Sequence, residues 1–356
     1  MPTSCFCLNH HETYMHRCLQ LAQLGQGKVM TNPMVGAVLV HNDRIIGEGY
    51  HRQYGGPHAE VDCIASVRVE DAELIPSATL YVSLEPCAHF GKTPPCADLV
   101  IQKGIRKVVI GCRDPFYQVD GKGIEKLNTA GVEVTVGILE ERCKELNKRF
   151  FTYYTAHRPY ITLKWAQSGD HRIAAYNRRT YISNAGTNRL VHRWRSEEAS
   201  ILVGTNTALF DDPDLTTRLH RGKTPLRLVV DKTLRLPVSL KLFNGEHKTI
   251  VFNTLQDKEH FNLTHYRLDT NKPLAGQIVK ALGGLNIQSL LVEGGAQTLQ
   301  AFIDAGLWDE ARIITNEAMF IGKGIEAPQL KNAMPVRQET IFTDTINYYK
   351  STEYRL

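Results

Sequence analysis

His58, Glu60, Cys87 and Cys96 are the residues of this chain best suited to chemistry. One imidazole and two thiolates supply three of the four ligands of a tetrahedral zinc. The fourth position is then left for water, as in a catalytic rather than a structural site. Two thiolates and a neutral imidazole cancel the charge of the ion, which still draws the pKa of its water toward neutrality. Glu60 follows the histidine by two residues, so it can hydrogen-bond that water without ligating the metal and can carry its proton. Blander readings compete. A His-x-Glu often only opens a surface helix, and two thiols among eight cysteines are often buried apolar groups. A closed structural zinc would need a fourth protein ligand, for which His89 stands between the cysteines. That arrangement leaves Glu60 without a task and the prolines beside each cysteine unexplained, so the catalytic reading is preferred.

Other groupings say less. Cys5-x-Cys7, with His10 and His11, matches no recognised zinc spacing and reads as free thiols. Leu290-Leu291-Val292-Glu293-Gly294-Gly295-Ala296 reads as a strand, a glycine turn and a helix start, a shape that admits a phosphate to backbone N–H groups. It can equally be a tight connection. Asp211-Asp212-Pro213 offers paired carboxylates or a capping turn. Arg195, Arg218, Arg221 and Arg227 could bind phosphate or lie solvated.

The elements that would position these groups can be read from pattern. Met15, Cys18, Leu19 and Ala22 repeat at helical spacing, ended by Gly25 and Gly27. Val35–His41 and Arg44–Tyr50 flank Asn42-Asp43 as a hairpin. His58 opens a helix through Ala65. The strand Ala78–Leu84 runs straight into Pro86-Cys87, and Pro95 introduces a helix near Cys96. Strands at Lys107–Cys112 and Val132–Val136 enclose a helix at Ile124–Ala130. Both metal-ligand regions then lie at helix starts, where thiolates gain from the local field. Glu140–Thr155 reads as one helix, broken by Ala156-His157-Arg158-Pro159, which places a domain boundary there. A second strand–helix series follows: Tyr160–Ala166, Asn184–Arg195, Ala199–Gly204, Leu226–Asp231, Thr249–Asn253, Ser289–Glu293, Ala296–Ala305 and Ala311–Thr315. The last strand, near Tyr348–Tyr354, alternates as an edge strand would.

The whole chain sets bounds. Its 356 residues, 42% of them apolar, suit two α/β domains with proper cores, 1–156 and 157–356. No apolar run approaches the ~20 residues of a membrane span, and Met1–His11 lacks the apolar core of a signal peptide. The expectation is a cytoplasmic protein that engages no membrane and forms a homo-oligomer. A net charge of +5 suits an anionic small substrate and decides nothing alone. No cysteine follows Cys143, which suggests two modules with separate chemistry.

His-x-Glu with Pro-Cys-x-x-Cys is the signature of zinc deaminases, but eight residues separate Cys87 from Cys96. Thr31-Asn32-Pro33-Met34-Val35-Gly36-Ala37-Val38, Pro57-His58-Ala59-Glu60 and Pro86-Cys87-Ala88-His89-Phe90-Gly91-Lys92-Thr93-Pro94-Pro95-Cys96 resemble the bifunctional riboflavin-biosynthesis deaminase/reductases. So do Leu163-Lys164-Trp165-Ala166-Gln167-Ser168, Ile201-Leu202-Val203-Gly204, Asp211-Asp212-Pro213-x-Leu215-Thr216-x-Arg218 and Val292-Glu293-Gly294-Gly295. The resemblance runs from about His11 to Ile314, with the last forty or so residues matching loosely.

This resemblance implies a cytidine-deaminase-like three-layer domain followed by a dihydrofolate-reductase-like domain. The first would use one Zn2+ per chain to deaminate a small phosphorylated pyrimidine, a diaminopyrimidinone ribosylamine phosphate. The second would reduce its ribosyl group to ribityl with NADPH. It implies Asn32, His51, His89 and Lys92 as substrate contacts in the first half, with Arg179, Arg195, Leu215, Arg218 and Glu293 in the second. The nucleotide would meet Ala166, Tyr181, Thr207 and Asp211, and the turn and helix start of Gly295, Ala296, Gln297, Thr298, Leu299, Gln300 and Ala301. The chain departs from the family pattern at Ser168-Gly169-Asp170-His171-Arg172-Ile173-Ala174, where glycine and a bulky residue have changed places around Asp170. Tyr181 stands where tryptophan is usual, and Arg179 where a small polar residue is usual. The competing reading is a nucleic-acid deaminase with a basic C-terminal module. The cysteine spacing and the nucleotide-like second half count against any nucleic-acid partner.

Overall fold

The computed structural model describes residues 10–90 and 94–354. The chain divides into two compact units, with the break between Ala156 and His157.

The first unit is a five-stranded sheet of β1 (Gly36–His41), β2 (Arg44–Tyr50), β3 (Thr79–Leu84), β4 (Lys107–Cys112) and β5 (Glu133–Val136). Their order is β2-β1-β3-β4-β5, with β1 antiparallel to its neighbours and β3-β4-β5 parallel. Helices α1 (His10–Gln23), α2 (Ala59–Ala65), α3 (Cys96–Gln102), α4 (Lys122–Thr129), α5 (Glu140–Leu146) and α6 (Lys148–Ala156) cover it. Strand alternation decides which face meets which helix. Ala37, Leu39, Leu80 and Val82 pack with Cys63 of α2, Val100 of α3 and Leu127 of α4. Val38, Val40 and Tyr81 pack with Met15 of α1, Cys143 of α5 and Phe150 of α6 on the other face. Three layers result. Asn42 and Asp43 both take left-handed backbone in the β1–β2 turn, the geometry that a two-residue hairpin requires.

The single helix expected over Glu140–Thr155 is two. Asn147 interrupts it, and the cause lies far along the chain. Its carboxamide accepts from Met34 N at 2.8 Å and donates to Met34 O at 2.8 Å. An asparagine used in this way competes with the helical ladder.

The second unit carries β6 (Tyr160–Ser168), β7 (Arg172–Ala175), β8 (Ser200–Val203), β9 (Leu226–Val230), β10 (Thr249–Asn253), β11 (Lys258–His260), β12 (Leu263–Arg267), β13 (Ser289–Val292), β14 (Glu310–Asn316), β15 (Gly324–Glu326), β16 (Ala333–Ile341) and β17 (Asp344–Ser351). Ten of them form one sheet in the order β11-β12-β10-β9-β8-β13-β6-β14-β17-β16, while β7 and β15 pair separately. The strands from β12 to β14 in that order are parallel. Helices α7 (Ala185–Glu197), α8 (Thr205–Asp211), α9 (Leu274–Gly284) and α10 (Ala296–Asp304) complete the unit. Ile278, Leu282, Leu299 and Phe302 of α9 and α10 cover one face. On the β14–β17 side, Val191 and Trp194 of α7 pack on Ile314, Ile346 and Tyr348.

The last strand is not an edge. β17 is hydrogen-bonded to β14 on one side and to β16 on the other. Its alternation reports the two faces of the sheet and says nothing about its ladder neighbours. The outer strand is β16, where Pro335 sits at a register shift, a position that can spare an N–H.

Candidate active sites

In the first unit three atoms converge. His58 Nδ1 lies 3.5 Å from Cys87 Sγ and 3.3 Å from Cys96 Sγ, and the three donor atoms all lie within 4.8 Å of one another. His58 is the N-cap of α2, Cys87 follows the end of β3, and Cys96 is the first residue of α3 behind its N-cap Pro95. Pro95 thus caps the helix instead of occupying its first turn. Helix α2 can approach because position 49 is glycine, since a Cβ there would stand 2.1 Å from Cys63 N. Cys87 is held well below the usual thiol range, chiefly by its hydrogen bond with Cys96 and also by His58, while that same contact and burial push Cys96 up. Among the described residues this is the one cluster with metal-ligand geometry. A soft, tetrahedral N/S donor set of this kind fits zinc.

Glu60 is buried, and burial, reinforced by Cys87, pushes its carboxyl up to about 7. Asn32 and His51 join the same group. Nδ2 of Asn32 donates to His51 Nε2 at 3.0 Å, and His51 Nδ1 donates to the Pro57 carbonyl at 2.8 Å. Burial lowers the pKa of His51, so the ring is neutral and oriented. It lies edge-on to His58, with 5.6 Å between centroids. His89 leans against Phe116 at 5.9 Å, with its Nδ1 buried and unpartnered. It is no part of the metal-ligand cluster. Lys92, Cys5 and Cys7 lie outside the described residues.

In the second unit Arg195 and Glu293 form an ion pair whose side chains are only 12% and 5% exposed. Nε and Nη2 of Arg195 donate to the two carboxylate oxygens at 2.8 and 2.6 Å, and Nη1 donates to Thr216 O at 3.2 Å. Arg195 and Lys164 counter the effect of burial and hold Glu293 below the ordinary carboxylate range. Lys164 was not singled out from the sequence. Burial lowers its pKa, Arg195 adds to that, and the charges of Glu293 and Asp211 oppose it. The available signal was a lysine inside an otherwise apolar strand. His192, one helical turn before Arg195, is pushed down to about 4 by burial and by the charges of Arg195 and Arg218. Arg218 itself pairs with Asp214 at 3.3 Å.

Some expected contacts are placed otherwise. The Leu215 side chain belongs to the core, so only its left-handed backbone is available to a substrate. Arg227 is neither solvated nor on phosphate. It is 1% exposed and donates to Thr249 Oγ1 and to the carbonyls of Lys241, Leu242 and His247. Asp212 takes the turn reading, with φ of 39° and its carboxylate on Lys241 N at 2.8 Å. Burial raises the pKa of Asp211, and the charges of Arg179 and Lys164 oppose that. Arg179 lies over the Tyr181 ring at 4.7 Å. Gly295 N donates to Thr207 Oγ1 at 2.9 Å, joining the glycine turn to α8. A Cβ on Gly204 would meet Thr298 Oγ1 at 2.5 Å, so the two strand–helix turns are in close contact. Behind the turn Leu299 is core, Thr298 is buried, and Gln300 is bonded to Gln329 and Asp304. Ala296, Gln297 and Gly295 open the helix, while Ala301 and Ala166 are half-buried.

These two folds and sites have relatives. Residues 8–112 match the cytidine and deoxycytidylate deaminase zinc-binding region, and residues 159–342 match the RibD C-terminal domain. Riboflavin biosynthesis protein RibD of Aquifex aeolicus is 39% identical, over 95% of this chain and 98% of its own length. Its counterpart in Escherichia coli K12 is 35% identical, over 84% and 85%. A Thermotoga maritima crystal structure, described as a diaminohydroxyphosphoribosylaminopyrimidine deaminase/5-amino-6-(5-phosphoribosylamino)uracil reductase, superposes with a TM-score of 0.88. It is 36% identical and covers 96% of this chain and all of that one. RibD of Acinetobacter baumannii gives a TM-score of 0.85 at 29% identity, with 96% and 98% covered. The chain is therefore a two-part enzyme, a cytidine-deaminase-like hydrolase domain followed by a dihydrofolate-reductase-like oxidoreductase domain. It belongs to the RibD family of bifunctional riboflavin-biosynthesis enzymes. The second half is thus a reductase domain and not a basic nucleic-acid module. Among the described residues no helix is long and apolar enough to cross a membrane.

Proposed function

We propose that the first unit deaminates a diaminopyrimidinone ribosylamine phosphate and that the second reduces its ribosyl group to ribityl with NADPH. The observation that carries the reading is the convergence of His58 Nδ1, Cys87 Sγ and Cys96 Sγ beside the buried carboxyl of Glu60. One zinc held there supplies a water acidic enough to react near neutrality. Glu60, buried beside the site, takes one proton from the reacting water and delivers it to the ring nitrogen, then carries the proton of the newly formed C–OH group to the amine that leaves as ammonia. His51, fixed as the Nδ1–H tautomer, and Asn32 orient the ring, with His89 and Lys92 serving the ribose phosphate.

In the second unit NADPH supplies hydride to the sugar carbon attached to nitrogen. Tyr181, Asp211, Thr207 and the Gly295 turn hold the nucleotide. Arg179, Arg195, Arg218 and Glu293 hold the substrate, with Lys164 as a further cation, and Arg179 lies over the Tyr181 ring. We expect action in the cytoplasm, as a homo-oligomer. Adding NADPH and the pyrimidine derived from a guanine nucleotide should release ammonia and then lower the absorbance of reduced nicotinamide. Ammonia without nicotinamide oxidation would overturn the second half of the reading, and neither signal would overturn both halves.

A further inference from the structure

Glu85 lies at the end of β3, two residues before Cys87, and is 3% exposed. A buried carboxylate is costly unless it is fully hydrogen-bonded. This one is met by four backbone N–H groups. Asp114 N and Gly121 N donate to Oε2 at 3.2 and 3.0 Å. Gly123 N and Ile124 N donate to Oε1 at 3.0 and 3.3 Å. The donors belong to the loop after β4 and to the first turn of α4.

A second observation concerns the same contact. A Cβ at Gly123 would stand 1.9 Å from the Pro86 carbonyl oxygen, so the start of α4 is pressed against the peptide that leads into Cys87. The main chain of Glu85 is fixed as well, its N–H donating to Cys112 O at 3.0 Å. The loop also carries Phe116, whose N–H donates to Asp114 Oδ1 at 2.8 Å and whose ring supports His89. One carboxylate therefore joins the segment holding Cys87 to the wall that backs His89.

We infer that Glu85 is a positioning residue of the deaminase site. Its carboxylate clamps α4 and its preceding loop onto the Pro86–Cys87 peptide and so fixes the direction in which Cys87 Sγ points. Ligand orientation by outer groups commonly governs metal affinity and turnover. The inference rests on the reading that His58, Cys87 and Cys96 bind the metal.

The full chain, stripped of zinc and reloaded with Co2+, gives the test, because the d–d and thiolate charge-transfer bands of cobalt report ligand geometry. Glu85→Gln keeps the shape but turns an amide donor toward backbone donors. One cobalt per chain should remain, with shifted bands. Deaminase kcat should fall about 10-fold or more, with KM little changed and the reductase reaction intact as a check on folding. Gly123→Ala keeps the carboxylate but crowds both the Pro86 carbonyl and, at 3.2 Å, Glu85 Oε1, so it strains the same clamp and should shift the same bands. Unchanged bands and unchanged kcat in both variants, with only a lower melting temperature, would make Glu85 a purely structural residue. If the unaltered protein shows no thiolate–cobalt band, the metal-site reading fails and the inference falls with it.

Discussion

Arg195 and Glu293, 98 positions apart in sequence, meet as a two-pronged ion pair with N–O distances of 2.8 and 2.6 Å. Each was expected to serve the substrate, and each is first the partner of the other. Breaking such a pair leaves a buried charge uncompensated, at a cost of about 3–5 kcal/mol. Arg195→Ala should therefore lower the stability of the second unit by that order, seen in denaturant unfolding, as well as stop NADPH oxidation. Replacing both partners with apolar residues should recover stability and leave reduction absent. A double variant that still reduces substrate would remove the pair from the site.

Glu60→Gln separates ligation from proton transfer. Its amide cannot accept the proton of the water, so ammonia release should vanish while one zinc per chain remains in metal analysis. His58→Ala, Cys87→Ala and Cys96→Ala should lose metal and ammonia release together. Zinc loss in Glu60→Gln would make that carboxylate structural.

His192 gives the second unit a pH dependence with a definite sign. Its pKa falls from about 6.5 to about 4 on folding, so the folded state disfavours the protonated form. The contribution of the neutral ring is present above pH ~6.5 and is lost as pH falls toward 4. The stability advantage of the natural protein over His192→Gln should shrink across that window in unfolding experiments. A difference that stays constant from pH 7 to 4.5 would show that the ring titrates normally.

His171 occupies the left-handed conformation that glycine usually supplies, with φ of 57°. The strain of ~1–2 kcal/mol is offset by a hydrogen bond from Gln167 Nε2 to His171 Nδ1 at 2.9 Å, which contributes about 1 kcal/mol. Asp170 next to it still performs the turn's main task, receiving Ile321 N and Gly322 N at 3.1 and 2.7 Å. His171→Gly should thus change kcat/KM for reduction by less than about 10-fold. Gly169→Leu should be worse, because a Cβ there would lie 3.0 Å from Glu317 O. A dead natural reductase restored by the double change would mean that this turn has disabled the domain.

What could be read along the chain was the chemistry of neighbours. His58, Cys87 and Cys96 were legible as candidate metal ligands because ligand type can be read from the sequence, and the fold brings the three together. The β1–β2 turn at Asn42-Asp43 and the break before Pro159 were legible for the same reason. Contacts between distant segments were not. Arg227 looks solvated in sequence because the carbonyls that surround it come from the 241–247 loop, and the charges of Glu293 and Arg195 that act on Lys164 lie far from it in the chain. Leu215 carries a motif position, but its side chain is spent on the core. The position of β17 between two strands could not be inferred from an alternation that describes only faces.

Asn147 has a consequence for anyone engineering this chain for heat tolerance. By helix propensity alone, Asn147→Ala is an improvement of several tenths of a kcal/mol, joining α5 to α6. In the folded protein it would orphan both the N–H and the carbonyl of Met34, two positions from Asn32 and its grip on His51. A stabilisation programme that scores helices one at a time would choose this change first and loosen the Asn32–His51 contact with it.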